Sequence, residues 1–462
     1  MIRWRLIAYY LSNMLYLLGF SQIVPIIFSI IVGESIGFIL LLIFDLLIMV
    51  SLAYILRRIS FLGEINIVEA YTVMVLAFII PSFTFALPVM VYNVDFINAL
   101  FEGASAITTT GLSALPPHTL TTGVHFLRSY YQWLGGIGIA LLTLSFFLSP
   151  GTAAYNIYVA HLGKYKLKPL SISTIKIIVK IYIAFTLLYI FLYLVSGTPL
   201  LDAVLNSLTT ISTGGFSRIS SFKNGSMYMA LFLMFMSAQP IAIYYFLFRG
   251  KLREILKDPQ LSCFILISII GFIAVSISVG NISSEILFQV ISALSTTGYS
   301  AFDNKLLSEP AKFILSILMI IGAGFGSTGG GLKQLRIIII FKSITANIKR
   351  LYMPKDAVIP VKIRNKVVSS SEILFSYTLL GMYLIVLIVS TYIISLYGYS
   401  IADSFFEASS ALATTGLSVG ISSPSLSFIP KITLIIDMWL GRVEIIPFII
   451  VLTNLYYSTK KR

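Results

Sequence analysis

Charge is what this sequence has least of. Of its 462 residues only 11% are Asp, Glu, Lys or Arg, against about 25% in a soluble globular chain. With 58% hydrophobic residues, a water-soluble core is excluded and the chain reads as a polytopic membrane protein. Cysteine is almost missing: Cys263 is the only one, so neither a disulfide within the chain nor a cysteine metal site is possible. The three histidines, His118, His125 and His161, show no metal-ligand spacing. Long polar linkers are missing too. The longest lie around 150–172 and 346–371, so no large soluble domain is expected. The first apolar stretch is long and has no small-residue cleavage site, so it reads as a retained span and not a signal peptide.

What is present is a series of apolar runs. A bilayer-crossing helix needs about 20 apolar residues. Candidate spans are 5–31, 36–56, 66–92, 125–148, 173–196, 226–248, 261–280, 312–345 (interrupted), 373–397 and 429–457. Segments 95–108, 200–212, 283–295 and 402–413 are too short to cross. The net charge of +14 is distributed as a topology signal and not as a nucleic-acid patch. Most Lys and Arg fall in one set of connections: Arg3 and Arg5; Arg57 and Arg58; Lys164 to Lys180; Arg249 to Lys257; Lys333 to Lys366; and Lys460, Lys461 and Arg462. Basic loops stay cytoplasmic, which places both termini inside and the ends of the short segments toward the outside.

Each short segment ends in a Thr-Gly element. Aligned on Gly111, Gly215, Gly298 and Gly416, position −2 is Thr109, Thr213, Thr296 and Thr414. Position −1 is Thr110, Gly214, Thr297 and Thr415, and position +2 is always Ser: Ser113, Ser217, Ser300 and Ser418. Upstream, −6 is Ser105, Thr209, Ser292 and Ser410; −9 is Glu102, Asn206, Gln289 and Glu407; −13 is Asn98, Asp202, Glu285 and Asp403. Offsets of three and four put these polar groups on one helical face. At membrane depth that face must meet protein or water, because lipid cannot satisfy it. Small residues that let membrane helices approach would explain one such cluster, but not four in register. A cation filter explains all four: backbone carbonyls from converging loops replace an ion's hydration shell. Gly permits the backbone angles this needs, and the negative C-terminal ends of the short helices favour a cation.

The chain resembles the Trk/Ktr/HKT superfamily of potassium transporters, in its TrkH branch. The four Thr-Gly elements carry the resemblance, with "QWLGGIGIALL" at 132–142, "GAGFGSTGGGLKQLR" at 322–336 and "MWLGRVEIIPFIIVL" at 438–452. It implies an all-α polytopic protein of about ten spans: four span–pore-loop–span repeats around one pore, plus two extra N-terminal spans. The units would be 1–62, then 63–150, 170–250, 258–346 and 370–462 for the repeats. It implies potassium as the transported ion, held by Thr109, Thr110, Gly111, Thr213, Gly214, Gly215, Thr296, Thr297, Gly298, Thr414, Thr415 and Gly416, with no cofactor bound by this chain. A serine at a filter glycine marks sodium-favouring members; all four are Gly here. A homodimer in the cell membrane and a cytosolic nucleotide-binding regulatory subunit of the TrkA type are likewise implied. Gly214, in place of threonine, departs from the other three repeats, though the resemblance implies that a double Gly at this repeat is usual for the TrkH branch.

The "GAGFGSTGGGLK" stretch is formally a GxGxxG, but an apolar span precedes it where a dinucleotide site needs a strand. Glycines cannot hold a helix, so the chain should loop out within the span. The resemblance makes this loop a gate below the filter, formed by Gly322, Gly324, Gly326, Ser327, Thr328, Gly329, Gly330 and Gly331. Arg442, inside the last span, is a functional candidate by default, with a helix-joining ion pair to Asp437 or Glu444 as the alternative. The resemblance sets it beside the pore. Lys333 and Arg336 match the family's basic pair, or are inside-facing topology charges. No paired catalytic groups are evident, so the chain does not read as an enzyme. A sodium-permeable or poorly selective pathway of the same fold stays open, as does coupling to H+ or Na+ (symport) against channel-like flux. A non-conducting scaffold is a remoter alternative.

Overall fold

Hydrophobic helices with well-defined caps make up most of the described residues. The computed structural model describes residues 3–142, 172–219, 222, 224–248, 250, 252–354, 359–364 and 366–460. The end of the 125–148 span, nearly all of the linker around 150–172 with His161, Lys164, Lys166 and Lys168, and Arg249, Lys251, Lys461 and Arg462 lie outside the described residues.

The N-terminal pair comprises Trp4–Ser21 with Ile23–Val32, then Ile36–Arg58. Gly33 ends the first span in the left-handed region at φ 74°, and Ser35 caps the second through its side chain. The first spans of the repeats are Ile67–Val89, Ile172–Val195, Pro259–Val279 and Ser370–Ser395. Asn66 with Glu69, and Ser369 with Glu372, form reciprocal capping boxes at two of them. Each box satisfies two helix-end N–H groups reciprocally.

The short helices are Phe96–Ile107, Leu200–Ile211, Ser284–Ser295 and Ile401–Leu412, within a residue or two of the sequence expectation. Asp95, Ser283 and Ser400 start three of them by accepting a first-turn N–H. Their apolar faces belong to three buried cores. The largest joins all four repeats; a second joins repeat one to the N-terminal spans through Phe38, Leu42, Met74, Phe85 and Tyr131; a third sets Leu205 and Leu208 against Phe126 and Tyr130.

The second spans depart from expectation. Only 312–345 is expected to be interrupted, yet among the described residues three of the four are. The expected 226–248 span is Asn224–Ser237 followed by Ile241–Phe248. Pro240 has no N–H to continue a helix. The freed groups pair elsewhere: Ala238 O accepts from Gly324 N at 2.9 Å, and Ile241 N donates to Gly326 O at 3.0 Å. The expected 429–457 span is Phe428–Val443 and Ile445–Lys460, divided at Glu444 with φ 67°. The third repeat has Glu309–Ile321 and Gln334–Leu351 around its glycine loop. The expected 5–31 span also has a turn, at Gln22, whose buried amide donates to the Tyr131 hydroxyl at 2.9 Å. Six helices among the described residues are long and apolar enough to cross a membrane by themselves. A two-stranded hairpin, Lys362–Ile363 with Lys366–Val367, packs beneath Leu335 and Ile339.

Candidate functional site

All four Thr-Gly elements adopt one backbone shape. Thr109, Thr213, Thr296 and Thr414 have φ of 55°, 54°, 54° and 49°, and Gly111, Gly215, Gly298 and Gly416 have 88°, 77°, 84° and 97°. Left-handed threonine is strained, because its branched Cβ crowds the backbone. Four copies of that strain mean the surrounding packing imposes the shape. Of the twelve main-chain carbonyls at these positions, only that of Gly214 accepts a hydrogen bond among the described residues. The hydroxyls of Thr109, Thr414 and Thr415 are buried and unbonded. Buried carbonyls normally find a partner, so a ring of free ones has acceptor capacity left over for a ligand.

The turns close on one another in a single sense. A Cβ on Gly111 would collide with the Gly214 carbonyl oxygen, one on Gly215 with Thr297, one on Gly298 with Thr415, and one on Gly416 with Thr110. Repeat one thus meets two, two meets three, three meets four and four meets one. Peripheral contacts follow the same order. Trp133 Nε1 donates to Thr186 Oγ1 at 3.0 Å, and Trp439 Nε1 to Ser82 Oγ at 3.1 Å. Lys312 Nζ lies 2.8 Å from Asp403, and Lys431 Nζ donates to Asn98 Oδ1 at 2.5 Å.

The polar stripe of the short helices faces protein at −6 and −9, where every residue is buried, whereas Glu285 at −13 is exposed. Its −9 residues pin the chain leaving each turn. Glu102 Oε1 accepts from Ser113 Oγ at 2.7 Å and from Ala114 N at 2.8 Å; Glu407 accepts from Ser418 Oγ at 2.8 Å and from Val419 N at 3.1 Å. Asn206 accepts from Ser217 Oγ, and Gln289 from Ala301 N. The Arg128 guanidinium, 2% exposed, lies 3.1 Å from Glu102 Oε2, with its central carbon 3.7 Å over the Phe216 ring. It borders a cavity of about 130 Å³ formed with Gly111, Gly215, Gly298 and Tyr299.

The glycine loop sits on the opposite side of the turns. Gly330 N donates to Thr296 Oγ1 at 2.7 Å, and Thr328 Oγ1 to Ile211 O at 2.9 Å. A Cβ on Gly330 would strike Ala413 O and Thr414 Oγ1. Gly322, Gly326 and Gly331 take φ between 73° and 85°, while Gly324 is pressed against Pro240. Gly329 lies against Thr296 Oγ1, and Ser327 Oγ turns back to Gly324 O at 2.7 Å. Arg442, 3% exposed, donates to Thr328 O and to Gly135 O, each at 2.8 Å. It forms no ion pair among the described residues, which corrects the ion-pair alternative: Asp437 accepts from Ser390 Oγ, and Glu444 pairs with Arg336 at 2.7 Å. Lys333 and Arg336 are buried, with the Lys333 ammonium on Gly329 O.

Sequence reasoning missed three residues here. Arg128 was only one arginine of an apolar run, and Glu444 only a neighbour of Arg442. Gln132 Nε2 donates to Gly214 O at 2.5 Å, and its Oε1 accepts from Phe216 N at 3.2 Å. Its traces in the sequence were the odd glycine at 214 and its place at the head of the QWLGGIGIALL stretch.

Four span–turn–span repeats closed in a ring, with one re-entrant loop beneath, define a polytopic pore-loop membrane protein. The family model TrkH, cation transport protein, matches residues 43–277 and 263–460. The chain is 31% identical to an uncharacterized cation transporter of Methanocaldococcus jannaschii, across 98% of this chain and 96% of that one. It is 28% identical to the Trk system potassium uptake protein TrkG of Escherichia coli, across 85% of this chain and 86% of that one. In fold it is similar to the crystal structure of the potassium transporter TrkH from Vibrio parahaemolyticus, with a TM-score of 0.87 and 22% identity over 99% of this chain and 100% of that chain. The chain belongs to the TrkH family of cation transport proteins, and is a multi-pass membrane protein of a transporter family, not an enzyme.

Proposed function

We propose that this chain is the membrane subunit of a potassium uptake system, with the four Thr-Gly turns as its filter. The carrying observation is the closed ring of strained turns whose buried carbonyls are free among the described residues, apart from Gly214. Carbonyl oxygens at fixed spacing replace the hydration shell of a cation. Glycine in all four zero positions and the potassium uptake relatives support potassium over sodium. Residues Gly322 to Gly331 form the gate. Their bonds to Thr296 and Ile211, and the Arg442 bond to Thr328 O, support a loop clasped against the inner end of the filter. Both termini face the cytosol, the protein acts as a homodimer, and a TrkA-type nucleotide-binding subunit docks on the basic inner loops.

The test is rubidium-tracer uptake into proteoliposomes, with sodium, potassium and caesium as competitors and Gly111→Asp as control. The reading predicts uptake blocked by potassium, barely by sodium, and lost in the variant, whose side chain meets the Gly214 carbonyl. Equal block by sodium would favour a poorly selective pathway. Uptake surviving Gly111→Asp would overturn the filter.

A further inference from the structure

Three of the four turns carry threonine at −1, and the second carries Gly214. Backbone freedom does not explain it, because Gly214 is absent from the residues with positive φ. Space does. A Cβ on Gly214 would overlap the Cδ, Oε1 and Nε2 atoms of Gln132. In the first and third turns the −1 threonine is held locally: Thr110 Oγ1 lies 2.8 Å from Thr108 Oγ1, and Thr297 Oγ1 lies 2.8 Å from Ser295 Oγ. In the second, a side chain from the preceding repeat occupies that place.

We propose that Gln132 is a specificity-determining positioning residue, whose carboxamide stands in for the missing threonine and fixes the second strand of the filter. It reads the strand on both sides of the filter glycine, donating to Gly214 O and accepting from Phe216 N. This orientation of the amide is the one both partners require: the nitrogen meets a carbonyl and the oxygen meets an N–H. Gln132 is fully buried and its mount is rigid. Tyr131 beside it donates to Asp45 Oδ2 at 3.0 Å, Trp133 to Thr186, and Gly135 and Gly136 press on Ile107 O and Ser212. A filter that separates ions of different radius must hold its carbonyls at fixed positions. Gln132 holds one carbonyl of the ring directly, leaving the other three −1 carbonyls free among the described residues. The two N-terminal spans thereby reach the filter, through Asp45, Tyr131 and the adjacent Gln132.

This inference rests on the potassium-filter reading, and its test separates the two. Rubidium uptake into proteoliposomes is measured for wild type, Q132A, Q132M, G214T and the double variant Q132A/G214T, as the ratio of sodium to potassium needed for half block. The expected results are these. Q132A and Q132M keep uptake but lower the ratio at least fivefold. G214T loses uptake because Gln132 fills the site, and Q132A/G214T regains it. A second readout needs no flux: the rise in melting temperature of the detergent-solubilised protein on adding potassium, compared with sodium. Wild type should respond to potassium specifically, and Q132M, which keeps the volume and loses both bonds, should respond to the two ions alike. A wild type that does not discriminate overturns the filter reading and this inference with it. A discriminating wild type with unchanged Q132A and Q132M, or a G214T protein as active as wild type, overturns the role of Gln132 alone.

Discussion

Arg442 shows how a single residue can change meaning between sequence and structure. In sequence it has two nearby acids; in space it holds two main-chain carbonyls, one of them on the glycine loop. Hydrogen bonds to charged groups contribute about 1.5–3 kcal/mol each. Arg442→Gln should therefore release the loop and raise rubidium uptake several-fold at equal expression. Unchanged uptake would remove Arg442 from the gate. Arg128 makes a separate case. Its loss leaves Glu102 buried without its counter-charge, at a cost of about 3–5 kcal/mol. Arg128→Met should lower the melting temperature markedly, and adding Glu102→Gln should recover most of it. A double variant no more stable than the single would mean the ion pair is not the cause. The sequence shows that both arginines lie in apolar runs, but partners more than 100 residues away, such as Thr328 for Arg442, cannot be read from spacing.

Among the elements, the short helices were legible almost to the residue. Their caps, Asp95, Ser283 and Ser400, and the Thr-Gly ends are local signals. The breaks in the second spans were less so. Glycines announce the loop after Ile321, whereas at Glu444 nothing local demands φ 67°; the ion pair with Arg336, on the helix after the loop, pulls that carboxylate out of line. The Glu444–Arg336 pair thus ties the far end of the loop to the last span. Glu444→Gln should speed backbone hydrogen exchange across 322–333 and leave 96–107 unaffected, read by mass spectrometry. Equal exchange in both proteins would show that the pair does not restrain the loop.

At the scale of the whole molecule, the hydropathy pattern carries the fold class, because each span must bury its backbone groups internally. The repeat alignment gave the four turns but not the order in which they meet, since chain offsets do not encode which neighbour a glycine faces. Orientation rests on the basic loops. In a Cys263→Ala background, Ser425→Cys should react with a membrane-impermeant maleimide on intact cells. Lys349→Cys should react only after permeabilisation; both positions are exposed. The reverse pattern would invert the topology. Everything converges on the ring in which Gly111, Gly215, Gly298 and Gly416 each face the carbonyl of the next repeat. The most direct measurement is anomalous diffraction from crystals soaked in rubidium. A closed carbonyl filter predicts ion density on the axis between the four turns, weakened by potassium and not by sodium. Rubidium density confined to other parts of the protein, with the space between the turns unoccupied, would contradict it.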